Sequence, residues 1–572
     1  MRKILLFNLF VFFGLQTAFT QTCDCDVTLN NLSNTNLNLI WASQVNYSPG
    51  NTICIPAGTY RGLRFYDFIG TETDPVKIIN CGGKVVIDET VYPGISVQRS
   101  QYLNIAGTGD SNETYGIEIA QTGSNAVGIY VENLSSDVEI NNIEISSAGF
   151  AGIMGKTDPY CGNPDTWRSN GYILNNLKIH HNYIHDTGGE GIYLGFTGGY
   201  KIESNRNCDG TPIFGHWLEN LEVHDNVLEN IGWDGIQVNL GRTNCKIYNN
   251  HISNYGIENE NFQNFAMSIG GGTYEVYNNY MDSSFYGLGH GMQFISAESG
   301  TKIYNNVLVR PGFHGIFMHQ RHEFEDVNEG FYVANNTIIE PEDSGLLYNT
   351  IITVTDDPQK LYQPQGEVPS YFVNNLIVDP GNDYEGSGTW KQNQESYIDF
   401  NTRETRDSLL TNIYSNLITR QMDTLGLTDI INNDFSPIGP SSDVVDVGSD
   451  VSSFGITYDL NNEPRPSGNG NFDIGAYELQ YLAPPPNDPS NRIKLFPNPS
   501  TTHFKMIDKR RKRKNKRQKE ARITITSMSG LTVYDGNYKL GKKFFVDTYD
   551  PGIYVVVIYY PNIIFTKQLI IQ

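Results

Sequence analysis

KIHHNYI (178–184), EVHDNVL (222–228), KIYNNHI (246–252), EVYNNYM (275–281), KIYNNVL (302–308), YVANNTI (332–338) and FVNNLIV (372–378) are one phrase, repeated along the chain. Its asparagine recurs at 182, 226, 250, 279, 306, 336 and 375, in steps of 44, 24, 29, 27, 30 and 39 residues. A floor in the twenties with occasional large excess is the signature of one solenoid coil plus loop insertions. A second phrase, Gly-apolar-x-apolar, follows as GIYL (191–194), GIQV (235–238), GMQF (291–294), GIFM (315–318) and GLLY (345–348). In four repeats its glycine stands nine residues after the repeated asparagine. Period-two strands of three or four residues, parted by turns, exclude helices. Each coil buries its Val/Ile/Leu row only when the next coil stacks on it. The tight leucine spacing of a leucine-rich repeat is absent. The pattern predicts an all-β parallel β-helix, with the recurring asparagines forming an internal ladder of side-chain amides.

Composition agrees. Of 572 residues only 18% are charged and 39% apolar, with 56 Gly and 35 Tyr, a balance suited to short strands and turns. The net charge is −23, and residues 505–522 alone carry eleven Lys/Arg against two acids, so the remainder sums to −32. Such a body repels nucleic acid and anionic membranes, which argues against a nucleic-acid partner. Arg2 and Lys3, the apolar run Ile4–Leu15 and Ala18-Phe19-Thr20 have the parts of a secretory signal peptide over 1–20. That run is too short to span a bilayer, and the mature chain is expected to have no transmembrane segment. Seven cysteines in an exported chain permit three disulfides. Cys23, Cys25, Cys54 and Cys81 cluster where a terminal coil needs a staple, Cys161 and Cys208 flank two long insertions, and Cys245 reads as a core thiol.

Two resemblances extend this reading. SPGNTICIPAGTYRGLRF (48–65) resembles the opening coil of many β-helix polysaccharide-active proteins, and SPIGPSSDVVDVG (436–448) with DLNNEPRPSGNGNFDIGAYE (459–478) resembles their closing segment. They imply a right-handed parallel β-helix over 21–480 and a polysaccharide as partner. After a Pro-rich linker at 481–491, Leu495-Phe496-Pro497-Asn498-Pro499, Gly530, Gly552-Ile553-Tyr554-Val555 and Lys567-Gln568-Leu569 resemble the type IX secretion sorting domain. That resemblance implies a small C-terminal β-sandwich over 492–572, the type IX machinery as partner and delivery to the cell surface. The basic run 509–519 departs from the family and reads as a solvated loop.

A solenoid turns register into spatial rows about 4.8 Å apart. The residue before each Gly-apolar phrase gives the row Ala151, Glu190, Asp234, Phe265, His290, His314 and Ser344, with small insertions needed to place Phe265 and His290. The x position gives Met154, Tyr193, Gln237, Ser268, Gln293 and Phe317. Glu190, Asp234, His290 and His314 are therefore the candidate catalytic residues, with Tyr193, Gln237 and Gln293 binding substrate beside them. Paired carboxyls suit glycoside hydrolysis. His319 and Arg321, in His319-Gln320-Arg321-His322, would instead suit a uronate lyase, with calcium as the cofactor that β-helix lyases often use. The same polar residues also serve as ordinary turn formers. Tyr160, Trp167, Tyr200 and Trp217 on insertions 155–175 and 196–218 are expected either to stack on sugars or to pack their loops. No metal-ligand motif, Walker loop or Gly-x-Ser-x-Gly elbow occurs. Two functions follow: a secreted enzyme cleaving a polysaccharide, as hydrolase or lyase, and a non-catalytic adhesin or glycan-binding solenoid.

Overall fold

The computed structural model describes residues 23–197, 207–284, 289–297, 300–321, 330–343, 345–351, 370–380, 398–400, 411–467 and 470–480, and, in the C-terminal part, 493–496, 500–508, 520–527, 532–539, 541–549, 551–560 and 563–571. The signal peptide, the basic run and Tyr200 lie outside them. The chain divides into two compact units, 1–480 and 481–572.

The first unit is the expected parallel β-helix. Each regular coil contributes a strand to three parallel ladders, exemplified by Lys178–His180, Tyr183–Thr187 and Ile192–Leu194 in one coil and Glu222–His224, Val227–Ile231 and Ile236–Asn239 in the next. These are called faces 1, 2 and 3. The register holds residue for residue: Ile140, Ile179, Val223, Ile247, Val276, Ile303 and Val333 stack in one inward row of face 1. Ile184, Leu228, Ile252, Met281, Leu308 and Ile338 form the matching row of face 2. All are buried in one continuous core.

The asparagine ladder occupies the corner between faces 1 and 2. Each Nδ2 donates to the next Oδ1 at 2.9–3.0 Å, running 182→226→250→279→306→336→375→416. Each also ties a coil behind it, as when Asn226 Nδ2 donates to the Ile179 carbonyl at 2.9 Å. Asn416 extends the ladder by one member, in IYSNLIT (413–419), a further copy of the phrase with Ser415 at its corner. The residue before each ladder asparagine takes the left-handed conformation, for example His181 (φ +56°), Asp225 (+52°), Asn249 (+55°) and Asn278 (+55°). Asn is among the few L-residues that tolerate it, hence the recurrent Asn-Asn pair.

Cys23–Cys81 and Cys25–Cys54 staple the first coils, Cys161–Cys208 joins the two insertions, and Cys245 is a buried free thiol. The closing segment does not add a further coil. It runs back over the corner of faces 1 and 2, where the amides of Asn374, Asn335, Asn305 and Asn278 donate to the carbonyls of Ser449, Asp473, Tyr458 and Asp459. Phe454, Ile456 and Phe472 pack there against Tyr304, Ala334, Tyr371 and Val373. The second unit has a four-stranded antiparallel sheet (Thr532–Lys539, Glu520–Ser527, Gly552–Tyr560, Ile563–Ile571) and a three-stranded one, closed over Phe504, Met506, Ile523, Val556 and Leu569. This is the expected small sandwich.

Replacing Asn279 with Leu removes the oxygen that accepts from both Asn250 N and Asn250 Nδ2, and takes the Nδ2 donor from Asn306 Oδ1 and from the Ile247 carbonyl, leaving Asn306 Oδ1 only the backbone N–H of residue 279. Each buried group left unpaired costs about 1–3 kcal/mol. The thermal melt of Asn279→Leu is therefore expected several degrees below the parent's, and coincident melts would refute the ladder's role.

Candidate functional site

The site is built on the turn that leads into face 3. Backbone hydrogen bonds carry the row across this turn: Gly152 N donates to Glu190 O, Gly191 N to Asp234 O, Gly235 N to Phe265 O and Gly291 N to His314 O, each at 2.9 Å, and Ala266 N to His290 O at 3.4 Å. Glycine is required beside Glu190 and Asp234, whereas Ala266 fills the equivalent place beside Phe265. A Cβ on Gly191 would lie 2.5 Å from Leu228 Cδ2 and 2.6 Å from the Gly235 carbonyl, and one on Gly235 would lie 2.5 Å from the Ala266 carbonyl. The close approach of successive turns sets Glu190 and Asp234 at equal register on neighbouring coils. The outward row of face 3 pairs Met154, Tyr193, Gln237, Ser268, Gln293 and Phe317 in order.

The strip is not an open groove along its length. Glu190 is 2% exposed, Asp234 1%, Gln237 3%, Gln293 7% and His314 6%. Burial pushes the Glu190 carboxyl up to about 7, against a smaller opposing pull from Lys156. Burial also holds Asp234 well above the usual carboxylate range; its hydrogen bonds to Phe265 N and Ser268 oppose this and the Glu190 charge adds to it. Asp234 Oδ1 accepts from Phe265 N at 2.9 Å, while Asp234 Oδ2, Glu190 Oε2 and Gln237 Oε1 have no hydrogen-bond partner among the described residues. Gln237 Nε2 donates to Thr197 Oγ1 at 3.1 Å, and Thr197 in turn touches the Tyr193 hydroxyl.

Space opens at the end of the strip next to Glu190. A cavity of about 740 Å³ is lined by Tyr130, Phe150, Met154, Lys156, Asp158 and Tyr193 among others. Lys156 Nζ sits 4.4 Å above the Tyr193 ring and 3.4 Å from Asp158 Oδ1. Lys156, Thr197 and Phe150 are not legible as site residues in the sequence. Only the equal register of Tyr130, Met154 and Tyr193 points toward that end.

At the other end His290 stacks between Phe265 (5.2 Å), His314 (4.9 Å) and Phe317 (4.5 Å). Burial lowers His314 to about 4, so it is neutral at physiological pH. His290 and His314 form an aromatic cluster, two and three coils beyond Asp234. Gln293 Nε2 contacts Ser268 Oγ at 3.5 Å. The strand Ile316–Arg321 carries the backbone of His319 and Arg321. Their side chains, and His322, lie outside the described residues. Trp217 is a strand residue under the Arg168 guanidinium at 3.7 Å, and Trp167 Nε1 donates to the Tyr160 carbonyl at 2.9 Å, so both pack their loops.

Among the described residues, groups of three or more candidate metal ligands are Cys23/Cys25/Cys81, consumed by disulfides, and His181/His224/Asp225 on another part of the solenoid. Neither is the oxygen-rich set that calcium needs.

Residues 494–572 match the family model described as a secretion system C-terminal sorting domain. The protein is thus one that the type IX route secretes and attaches at the cell surface. No curated protein matches the chain. Among solved structures, an alginate lyase from Paenibacillus sp. aligns at 16% identity over 52% of this chain and 95% of its own, with a TM-score of 0.29. A PL6 family polysaccharide lyase from Pseudopedobacter saltans aligns at 10% identity over 67% and 92%, with a TM-score of 0.33. A lacto-N-biosidase from Eubacterium ramulus aligns at 12% identity over 53% and 67%, with a TM-score of 0.32. No helix among the described residues is long and apolar enough to cross a membrane.

The raised Glu190 carboxyl fixes a pH dependence. Unfolded, it ionises near the ordinary glutamate value; folded, it ionises near 7. Below both values it is protonated in either state and burial carries no ionic cost; as pH rises through that window the unfolded state loses its proton first, and stability falls. Glu190→Gln is expected to melt with the parent near pH 4.5 and above it at pH 8, by an amount equivalent to about 3 kcal/mol. A constant difference across the two pH values would contradict the assignment.

Proposed function

We propose that the protein is a secreted polysaccharide-cleaving enzyme in which Asp234 and Glu190 are the acid and the base or nucleophile. The observation that carries this reading is their pairing: two carboxyls at equal register on adjacent coils, both buried, each with an oxygen that has no partner among the described residues. Like charges this close do not both ionise, so one carboxyl retains a proton at neutral pH. Asp234, fully buried and held well above its ordinary range, keeps that proton and donates it to the glycosidic oxygen. Glu190, which titrates near neutrality, is the partner that accepts a proton from water or attacks the anomeric carbon. Adjacent coils stand about 4.8 Å apart, nearer the spacing of about 5 Å in retaining glycosidases than the wider gap of inverting ones. The cavity lined by Tyr130, Phe150 and Tyr193 supplies aromatic faces for a sugar chain approaching Glu190.

A second reading rests on the same burial. A strip this enclosed, with an aromatic cavity at its end, suits a glycan-binding solenoid with no chemistry.

A panel of neutral and uronate-containing polysaccharides, followed by reducing ends and by unsaturated-uronate absorbance, separates the readings. Asp234→Asn is expected to lower turnover by about 10²–10⁴-fold with little change in the melt. Loss of activity on changing His319 or Arg321, with Asp234→Asn unaffected, would transfer the function to a lyase. Glycan binding without cleavage would leave the adhesin reading.

Delivery is tested separately. A chain lacking residues 492–572 is expected to accumulate in the periplasm, and its appearance on the cell surface would show that the C-terminal unit is dispensable for sorting.

A further inference from the structure

On the corner between faces 1 and 2, away from the strip, the chain departs from its own repeat. The left-handed position before the ladder asparagine is Asn at 249, 278, 305, 335 and 374, but His at 181, Asp at 225 and Ser at 415. From Asn278 onward these corner amides hold the closing segment. At His181 and Asp225 the corner holds no part of the closing segment among the described residues.

What gathers there is a set of nitrogen and oxygen donors. His180 and His224 are at equal register on adjacent coils, with rings stacked at 4.8 Å and 9°. One ligand atom each from His181, His224 and Asp225 lies within 4.8 Å of the other two. A tetrahedral ion bound at about 2.1 Å separates its ligands by about 3.4 Å, which modest rotamer adjustment of these side chains reaches. His181 is exposed and the other two are partly so, which leaves the group open to solvent.

The surrounding hydrogen bonds prepare one imidazole for coordination. His180 Nε2 lies 3.1 Å from Glu139 Oε1, and His180 Nδ1 lies 2.8 Å from His181 Nδ1. A carboxylate accepts only, so a neutral His180 donates from Nε2 and accepts at Nδ1. His181 Nδ1 is then the donor, and its Nε2 is left with a free lone pair. Such carboxylate–imidazole chains fix the tautomer of metal-binding histidines. His224 is held by Asp225 Oδ2 at 2.7 Å from its Nδ1.

We propose that His181, His224 and Asp225 form a binding site for a divalent transition ion, Zn²⁺ in the first instance, with His180 as its positioning residue and water in the fourth place. Two imidazoles and one carboxylate select zinc-like ions over calcium or magnesium. The ion bridges two successive coils, which are separated in sequence by the long insertion at 196–218.

The test uses the full secreted chain, made without a histidine tag and stripped of metal with a chelator. Titration with Zn²⁺ alone in a calorimeter is expected to show saturable binding of about one equivalent, with micromolar or tighter affinity. His181→Ala and Asp225→Asn are expected to weaken it at least tenfold, and His180→Ala by about 10–100-fold, while His251→Ala leaves it unchanged. Because His181 is exposed, the metal-free His181→Ala variant is expected to melt with the parent, and Co²⁺ should give visible ligand-field bands in the parent but not in this variant. Absence of saturable Zn²⁺ binding by the parent, or equal binding by the parent and both ligand variants, would overturn the proposal.

Discussion

From Asn182 to Asn416 each coil of the solenoid is registered by one buried amide. An asparagine side chain has two donor hydrogens and a carbonyl with two lone pairs, and inside this ladder all are used. The oxygen of Asn250, for example, accepts both the backbone N–H and the Nδ2–H of Asn226, while its own Nδ2 reaches Val223 O behind and Asn279 ahead. Leaving any one unmade in a dry interior costs more than making it gains, so a coil that slips by a residue loses several bonds together. The site inherits this constraint. Glu190 and Asp234 each stand eight residues past a ladder asparagine, and the glycines that let adjacent turns touch stand nine past it. The long insertions at 155–175 and 196–218 fall outside that span, between face 3 and the next face 1, and so lengthen coils without moving the strip.

Parallel in-register stacking has a cost that the outer surface of face 1 offsets. Identical coils would place like charges directly above one another, which destabilises neighbouring strands. Instead Glu139, Lys178, Glu222, Lys246, Glu275 and Lys302 alternate in sign along one row. Beside them His180, His224, Tyr248, Tyr277 and Tyr304 stack ring on ring at 4.7–5.0 Å. The closing segment then covers the far part of this surface, which explains why it is tied to corner asparagines rather than paired as a further strand.

The repeated phrase makes the solenoid legible because burial and amide pairing both act at fixed register. Strand rows, ladder, cysteine clustering and the equal register of Glu190 with Asp234 all follow from spacing alone. The alternation KIHH, EVHD, KIYN, EVYN was also in plain view, as was the substitution of His181 and Asp225 for corner asparagines. What spacing does not carry is which side of a strip stays open. Lys156, Thr197 and Phe150 enter the site from turns and insertions whose path depends on packing rather than period. The burial of Glu190 and Asp234 likewise has no sequence signature, since polar residues before a glycine read as exposed turn formers. Asn416 is harder to see because it stands in IYSNLIT (413–419), a copy of the phrase whose corner residue is Ser415 rather than Asn and which lies 41 residues beyond Asn375.

The two polar rows of these coils can be weighed against each other. Asn182 and Asn226 are buried with their side-chain amides bonded on both sides, and they repay their desolvation as structure. Glu190 and Asp234, eight residues later in the same two coils, are as deeply buried, yet each keeps an oxygen with no partner among the described residues and an ionisation that burial opposes. A turn former at the same position needs neither burial nor a carboxyl: Ala151 occupies the equivalent place one coil earlier and Phe265 one coil later. Since the fold accepts alanine and phenylalanine at this register, it does not itself demand the acids. Strongly perturbed carboxyls that stability does not require are the residues to which chemistry is most reasonably assigned.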